Sequence, residues 1–413
     1  MLYVIQDPEE YNKKKKMNTT SFGFVLISLL LFLTFTHSSA TKDNLVDITL
    51  VENATTQGAV CLDGSPPAYH LDRGFGSGAN NWLLFFEGGG WCRTIKQCLK
   101  RAITHRGSST HMEKQNPFVG IMSKNASLNP DFYNWNRVRI RYCDGGSFSG
   151  DSMYKNGTDI LYFRGQRIWK AIILDLLPKG LNVTEKALLS GCSAGGLATF
   201  LHCDDFTTFL PKNATTKCMS DAGVFLDIKD INSTHTAREK FEKVVALQGA
   251  KQFLNENCTS SSNYTSQCFF PQYALSYVKA PYFILNSAYD TYQFKRHLVP
   301  PSTDPSRYWE QCKNKTAACD VDQLNILQGL RSEMINALSD FNDFSETGGM
   351  FINSCFAHCQ AEYDETWFAP DSPRIHNKTI AESVGDWYFE RTPSRLRDDA
   401  YPSNCNCPNV TGY

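Results

Sequence analysis

Ser193 stands at the centre of Gly191-Cys192-Ser193-Ala194-Gly195, a Gly-x-Ser-x-Gly pattern that can present a serine hydroxyl for nucleophilic attack. The apolar run Lys186-Ala187-Leu188-Leu189-Ser190 leads into it, and a helix-like run from Leu197 to Leu210 follows. A strand, a sharp turn and a helix in that order lift the hydroxyl clear of its neighbours. Glycines beside it remove Cβ atoms that would obstruct so tight a bend. A serine hydroxyl is a weak nucleophile at neutral pH, so it needs a base for its proton and an acid to orient that base. Asp290 ends the run that begins at Pro281, which sets a carboxylate just beyond a buried strand. Asp221, after the strand-like run at Lys217, is the competing acid. His358 follows the strand-like Gly349 to Asn353 by a few residues and is the expected base.

The order Ser, Asp, His is that of α/β-hydrolases. Such a site also needs donors for the developing oxyanion. Glu87-Gly88-Gly89-Gly90-Trp91-Cys92 directly follows the strand-like Trp82 to Phe86. Backbone N–H groups near Gly89, Gly90 and Trp91, with that of Ala194, can supply them. Cys92 and Cys98 are spaced to staple that loop. His202, on the helix behind the elbow, reads as structural, whereas His235, His297 and His376 lie in polar segments and read as surface. Cys355, His358 and Cys359 have the look of metal ligands, but a structural zinc site needs a second ligand pair at similar spacing. The chain offers none, so disulfides are expected instead. The chemistry is acyl transfer to water through a serine acyl-enzyme, with no metal and no organic cofactor.

The elements that must position these residues alternate between strand-like and helix-like runs. Expected strands are Trp82–Glu87, Arg137–Tyr142, Lys186–Ser190, Lys217–Ser220, Pro281–Asn286 and Gly349–Asn353. Expected helices are Asp159–Leu177, Leu197–Leu210, Ala237–Gln248, Val321–Ser339 and Ile380–Phe389. The pattern calls for an α/β fold, an α/β-hydrolase-like and mostly parallel sheet flanked by helices and held by disulfides. Asn255 to Gln267 and Pro300 to Asp320 read as surface excursions. No repeat or Pro/Gly-rich linker divides residues 41–413, which are expected to form a single domain.

Residues 1–40 read as an export signal: a basic run Lys13 to Lys16, a 14-residue apolar run Phe22 to Phe35, and small residues Ser38-Ser39-Ala40. The apolar run is short of the roughly 20 residues a membrane span needs, so no stable membrane anchor is expected. All 15 cysteines lie beyond the signal, which in an oxidising compartment implies a disulfide framework. Eleven Asn-x-Ser/Thr sequons lie there too, at Asn53, Asn125, Asn156, Asn182, Asn213, Asn232, Asn257, Asn263, Asn314, Asn377 and Asn409. Together these call for a secreted glycoprotein. The net charge of −1, with no basic block past the signal, excludes the electrostatic footprint of a nucleic-acid binder. Attraction to a polyanionic substrate would need a local patch.

The chain resembles the plant pectin acetylesterase family, relatives of the Notum carboxylesterase. The resemblance rests on Glu87 to Cys92, Arg141 to Asp151, Gly191 to Gly196, Asn286 to Asp290 and His358-Cys359-Gln360, in family order and over most of the chain from about Asp47. It implies a secreted plant cell-wall esterase that removes O-acetyl groups from the galacturonic acid units of pectin. Ser193 would be nucleophile, Asp290 acid and His358 base, with Gly89, Gly90, Trp91 and Ala194 at the oxyanion site. Notum-like relatives release a fatty acyl group, and pocket depth separates the two activities. The rival readings are an esterase for another acetylated wall glycan or a longer acyl ester, and a catalytically silent wall-binding glycoprotein.

Overall fold

The computed structural model describes residues 44–340, 347–398 and Cys407. The segment read as an export signal and the sequon at Asn409 lie outside the described residues. Strands of three residues or more are β1 (Leu45–Leu50), β2 (Ala68–Asp72), β3 (Asn81–Phe86), β4 (Gln115–Pro117), β5 (Asn136–Ile140), β6 (Ser152–Asn156), β7 (Asp159–Phe163), β8 (Lys186–Cys192), β9 (Thr215–Asp221), β10 (Tyr282–Ser287), β11 (Gly349–Asn353) and β12 (Arg395–Arg397). Ten of them form one sheet in the order β12-β11-β10-β9-β8-β3-β5-β2-β1-β4. From β12 to β5 every pairing is parallel, while β2, β1 and β4 add antiparallel partners at one side.

The longer helices are α1 (Ile95–Ala102), α2 (Gly165–Leu176), α3 (Ala194–Phe209), α4 (Thr236–Gln248), α5 (Val321–Ala337) and α6 (Ile380–Tyr388). Strand β3 shows how the sheet is covered on both faces. Trp82, Leu84 and Phe86 enter one apolar cluster, while the alternate Leu83 and Phe85 enter another. A strand buried on both faces reads as a continuous apolar run, which is why β3, β8 and β10 are legible in the sequence. This is an α/β-hydrolase-like architecture. Among the described residues no helix is long and apolar enough to cross a membrane.

The expected helix from Asp159 to Leu177 is a correction. Asp159–Phe163 is strand β7, paired antiparallel with β6 through the two-residue loop Gly157-Thr158, and α2 begins only at Gly165. Gly157 at φ 58° supplies the left-handed position such a tight hairpin uses. Strands β1, β2, β4, β6 and β12 were not expected, nor was α1; most are short or half-exposed and carry no apolar run. Seven disulfides join fourteen cysteines: 61–143, 92–98, 192–359, 203–218, 258–268, 312–319 and 355–407. Cys405 lies outside the described residues.

Candidate active site

All the chemistry-bearing segments emerge from one edge of the sheet, the carboxyl ends of β3, β8, β9, β10 and β11. In a parallel sheet those ends open into a common crevice. Ser193 stands between β8 and α3, at the N-cap of the helix, with φ 59° and ψ −120°. That backbone is strained for a residue with a side chain, by about 1–3 kcal/mol. The surroundings fix it: the Ser193 N–H donates to the Asp221 carbonyl at 2.9 Å, and the Ser193 carbonyl accepts the Leu197 N–H at 2.9 Å. Gly195 is obligatory for the bend, since a Cβ there would lie 2.2 Å from the Phe86 carbonyl oxygen.

His358 Nδ1 lies 2.7 Å from Asp290 Oδ2, where the ring N–H donates to the carboxylate. The other Asp290 oxygen accepts the Gln293 N–H at 2.9 Å. Both side chains are 1 % exposed. The Tyr292 ring stacks on the His358 ring at 5.3 Å between centroids and restrains its plane.

Asp221, the competing acid, has a different task. Its Oδ2 accepts the N–H groups of Gln360 and Ala361, both at 2.6 Å. One residue therefore takes the Ser193 N–H on its carbonyl and the histidine loop on its carboxylate. A disulfide repeats this connection, because Cys192 precedes Ser193 and its partner Cys359 follows His358. Cys192, His358 and Cys359 bring their ligand atoms within 4.8 Å of one another. The disulfide occupies both sulfurs, so they are not available as thiolate ligands.

The glycine loop folds against the elbow. A Cβ on Gly88 would lie 2.6 Å from the Cys192 carbonyl oxygen and 3.1 Å from Ser193 Cβ. Gly89 and Gly90 have φ of 149° and 61°, open to glycine and poor for other residues. Arg101 donates to the Gly89 carbonyl at 3.0 Å, and the Tyr142 hydroxyl donates to the Gly90 carbonyl at 2.8 Å. In a trans peptide the N–H points opposite its C=O. Those two anchors therefore turn the N–H groups of Gly90 and Trp91 away from Arg101 and Tyr142. Trp91 Nε1 donates to Ser147 Oγ at 2.8 Å, and that hydroxyl donates to the Ala194 carbonyl at 2.7 Å. This chain of bonds ties the loop to the first residue of α3. The Cys92–Cys98 disulfide closes the loop, as its spacing suggested.

His202 is structural: it is buried, hydrogen-bonded to the Phe148 carbonyl at 3.1 Å, and pushed down to about 4 chiefly by burial. His376 is exposed and His235 is half-buried beside Asp227. His297 corrects the surface reading. It is 1 % exposed and packs against Phe225, Phe241 and Tyr292, with centroids 5.6–6.1 Å apart. Burial, followed by the charge of Lys240, pushes it down to about 3, so it stays neutral.

The chain matches the Pectinacetylesterase family over residues 39–408. This protein belongs to the pectin acetylesterase family. It is 48 % identical to pectin acetylesterase 5 of Arabidopsis thaliana over 89 % of this chain and 86 % of that one. It is 47 % identical to pectin acetylesterase 4 of the same plant over 94 % and 95 %. A more distant relative, the palmitoleoyl-protein carboxylesterase notum1a of Danio rerio, is 28 % identical over 72 % of this chain and 58 % of that one. As a member of the pectin acetylesterase family the protein is a carboxylic ester hydrolase.

Sequence reasoning missed Asp221 as a link between two loops, and also Tyr142 and Ser147. The resemblance block Arg141 to Asp151 contains the last two, but only the fold shows what they hold. In this pectin acetylesterase family member, Tyr142→Phe should lower kcat about 10- to 100-fold with KM little changed, because it releases the Gly90 peptide. Steady-state kinetics on a soluble acetyl ester checks this, and an unchanged kcat would remove Tyr142 from the loop's support.

A pH test follows for Asp221. Burial pushes its carboxyl up from 3.8 to about 7, against the two N–H donors that pull it down. A carboxyl that holds its proton more tightly when folded stabilises fully below its unfolded value near 3.8. That contribution is lost as pH climbs through about 7. Asp221→Asn cannot titrate, so its Tm should gain on the wild type between pH 4 and pH 7. Parallel Tm curves for the two proteins would contradict the assignment.

Proposed function

We propose that this protein is a secreted serine esterase that removes O-acetyl groups from pectin in the plant cell wall, with Ser193, His358 and Asp290 as its catalytic residues. The observation that carries the mechanism is the geometry around Ser193: a strained elbow next to a His358–Asp290 pair, with one disulfide flanking both the serine and the histidine. Ser193 Oγ attacks the ester carbonyl and passes its proton to His358 Nε2. Asp290 holds the Nδ1–H and stabilises the imidazolium. The carbonyl oxygen becomes an oxyanion that the N–H groups of Ala194 and the Gly89–Trp91 loop stabilise. Collapse expels the sugar hydroxyl, which takes the proton from His358 and leaves acetyl on Ser193. Water, deprotonated by His358, then releases acetate and restores the serine.

Two observations favour acetate over a long acyl chain, and pectin over other esters. The names of the Arabidopsis relatives supply the substrate class. The space beside His358 is occupied by aromatic rings: Tyr292 and Phe225 meet His358 at 5.3 and 6.5 Å, and Trp91 packs on Phe225 and Phe241 at 5.0 and 4.9 Å. Phe225 and Phe241 are fully buried. Interiors this filled accept a methyl more readily than an alkyl tail.

Export is supported by the surface and the sulfurs. The ten sequon asparagines within the described residues, Asn53 to Asn377, are all exposed, where glycans can be carried. Seven disulfides suit an oxidising compartment.

The test is acetate release from acetylated pectin by secreted wild type and Ser193→Ala, with acetylated xylan and a series of longer acyl esters for comparison. Pectin-selective release that falls by a factor on the order of 10⁴ or more in the variant is expected. Release that survives Ser193→Ala overturns the mechanism. Equal release from xylan, or preference for long acyl esters, overturns the substrate.

A further inference from the structure

The protein is close to electrically neutral overall, yet pectin is a chain of uronic acids, each with a carboxylate when not methyl-esterified. A site for such a polyanion needs a concentration of positive charge near the reacting ester. Three cationic side chains collect around the aromatic rings beside His358. Arg93 lies two residues past Trp91, Lys240 immediately precedes Phe241, and Arg296 immediately precedes His297. Trp91 packs on Phe241 and Tyr292, and Tyr292 packs on His297 and His358. The ring contacts therefore draw three separate chain segments to one place: the start of α1, the start of α4, and the turn after Asp290.

The side chains converge as well. Lys240 Nζ donates to the Arg296 carbonyl. Among the described residues none of the three forms an ion pair; Arg93 and Lys240 are half-buried and Arg296 is exposed, within reach of a bound carboxylate. Burial, with the like charges of Arg93 and Arg296, pushes Lys240 down to about 8. Asp230 acts on Lys240 too, but its oxygens already accept the N–H groups of Asn232 and Thr234 and the Thr236 hydroxyl. The same Arg93 and Arg296 act on the Tyr292 hydroxyl, which sits above the glycine loop, 3.5 Å from where a Gly90 Cβ would be. Uncompensated like charges destabilise a fold, so a cluster kept beside an active site has a function to match.

We infer that Arg93, Lys240 and Arg296 form a cationic rim that binds the carboxylates of uronate units adjoining the acetylated sugar. This rests on the esterase reading given above. An arginine meets a carboxylate with two parallel N–H donors and fixes orientation, while Lys240 adds a point charge between the two. The rim holds the polysaccharide in register, and the Ser193 chemistry needs none of it.

The experiment uses Arg93→Gln with Arg296→Gln, which leaves the more buried Lys240 in place. On acetylated polygalacturonate the double variant should raise KM about tenfold or more, with kcat/KM on a small neutral acetyl ester unchanged. The wild-type KM should rise with salt and the variant KM much less. In parallel, the Ser193→Ala protein is titrated with deacetylated oligogalacturonate by calorimetry, with and without the double substitution. Binding that is salt-sensitive and lost on substitution supports the rim, even if acetate release from pectin fails and overturns the esterase reading. An unchanged KM with unchanged oligogalacturonate binding, or a loss of neutral-ester activity equal to the loss on pectin, overturns the rim.

Discussion

The backbone of Ser193 is the constraint on which the rest depends. A side-chain residue at φ 59° and ψ −120° persists only where its surroundings leave no alternative. Strand β8 enters the bend in the middle of a buried parallel sheet, and α3 leaves it at once. The close approach of Gly195 to Phe86 lets that helix start over the end of β3. Relaxation of the elbow would have to move the sheet, the helix or both, and each is packed on a continuous core. The geometry of one hydroxyl is thus maintained by the architecture as a whole.

In the proposed mechanism a serine held so rigidly needs its histidine held in the same frame. The fold solves this with two short links from the elbow to the histidine loop. One is covalent, between Cys192 and Cys359. The other is polar, through Asp221, which joins the Ser193 N–H to the N–H groups of Gln360 and Ala361. Further along the loop, Asn353 Nδ2 donates to Gln360 Oε1 at 2.6 Å and ties it back to the end of β11. The glycine loop is coupled separately, through Trp91, Ser147 and Ala194. The glycine loop, the turn after β9 and the histidine loop are thereby referenced to the elbow, so preorganisation comes from connections between loops rather than from stiffness within each.

Much of this was legible in the sequence, because the informative signals are local. Gly191 to Gly195 sits between a strand pattern and a helix pattern, and Glu87 to Cys92 follows an apolar strand. Both appear in the structure with those neighbours. The unreadable part is what depends on distant partners. The link from Cys192 to Cys359 spans 167 residues, and fifteen cysteines permit many pairings. His297 looked like surface because Lys295 and Arg296 precede it, but the aromatic rings of α4 and of the turn after Asp290 bury it. Asp221 was visible as a carboxylate at a strand end, and its role was not, since hydrogen bonds to backbone leave no trace in residue type. Strand β7 was taken into the following helix because Asp159 to Phe163 fits either period over so short a run.

The most direct test of the account is covalent capture of the nucleophile. A fluorophosphonate forms a serine O–P bond and expels fluoride only where a serine is activated. The adduct, located by peptide mass spectrometry, should fall on Ser193. Its rate of formation should drop by about 10³-fold in His358→Ala. An adduct on another serine, or a rate indifferent to His358, would contradict the claim that the elbow and its tethered histidine are one catalytic unit.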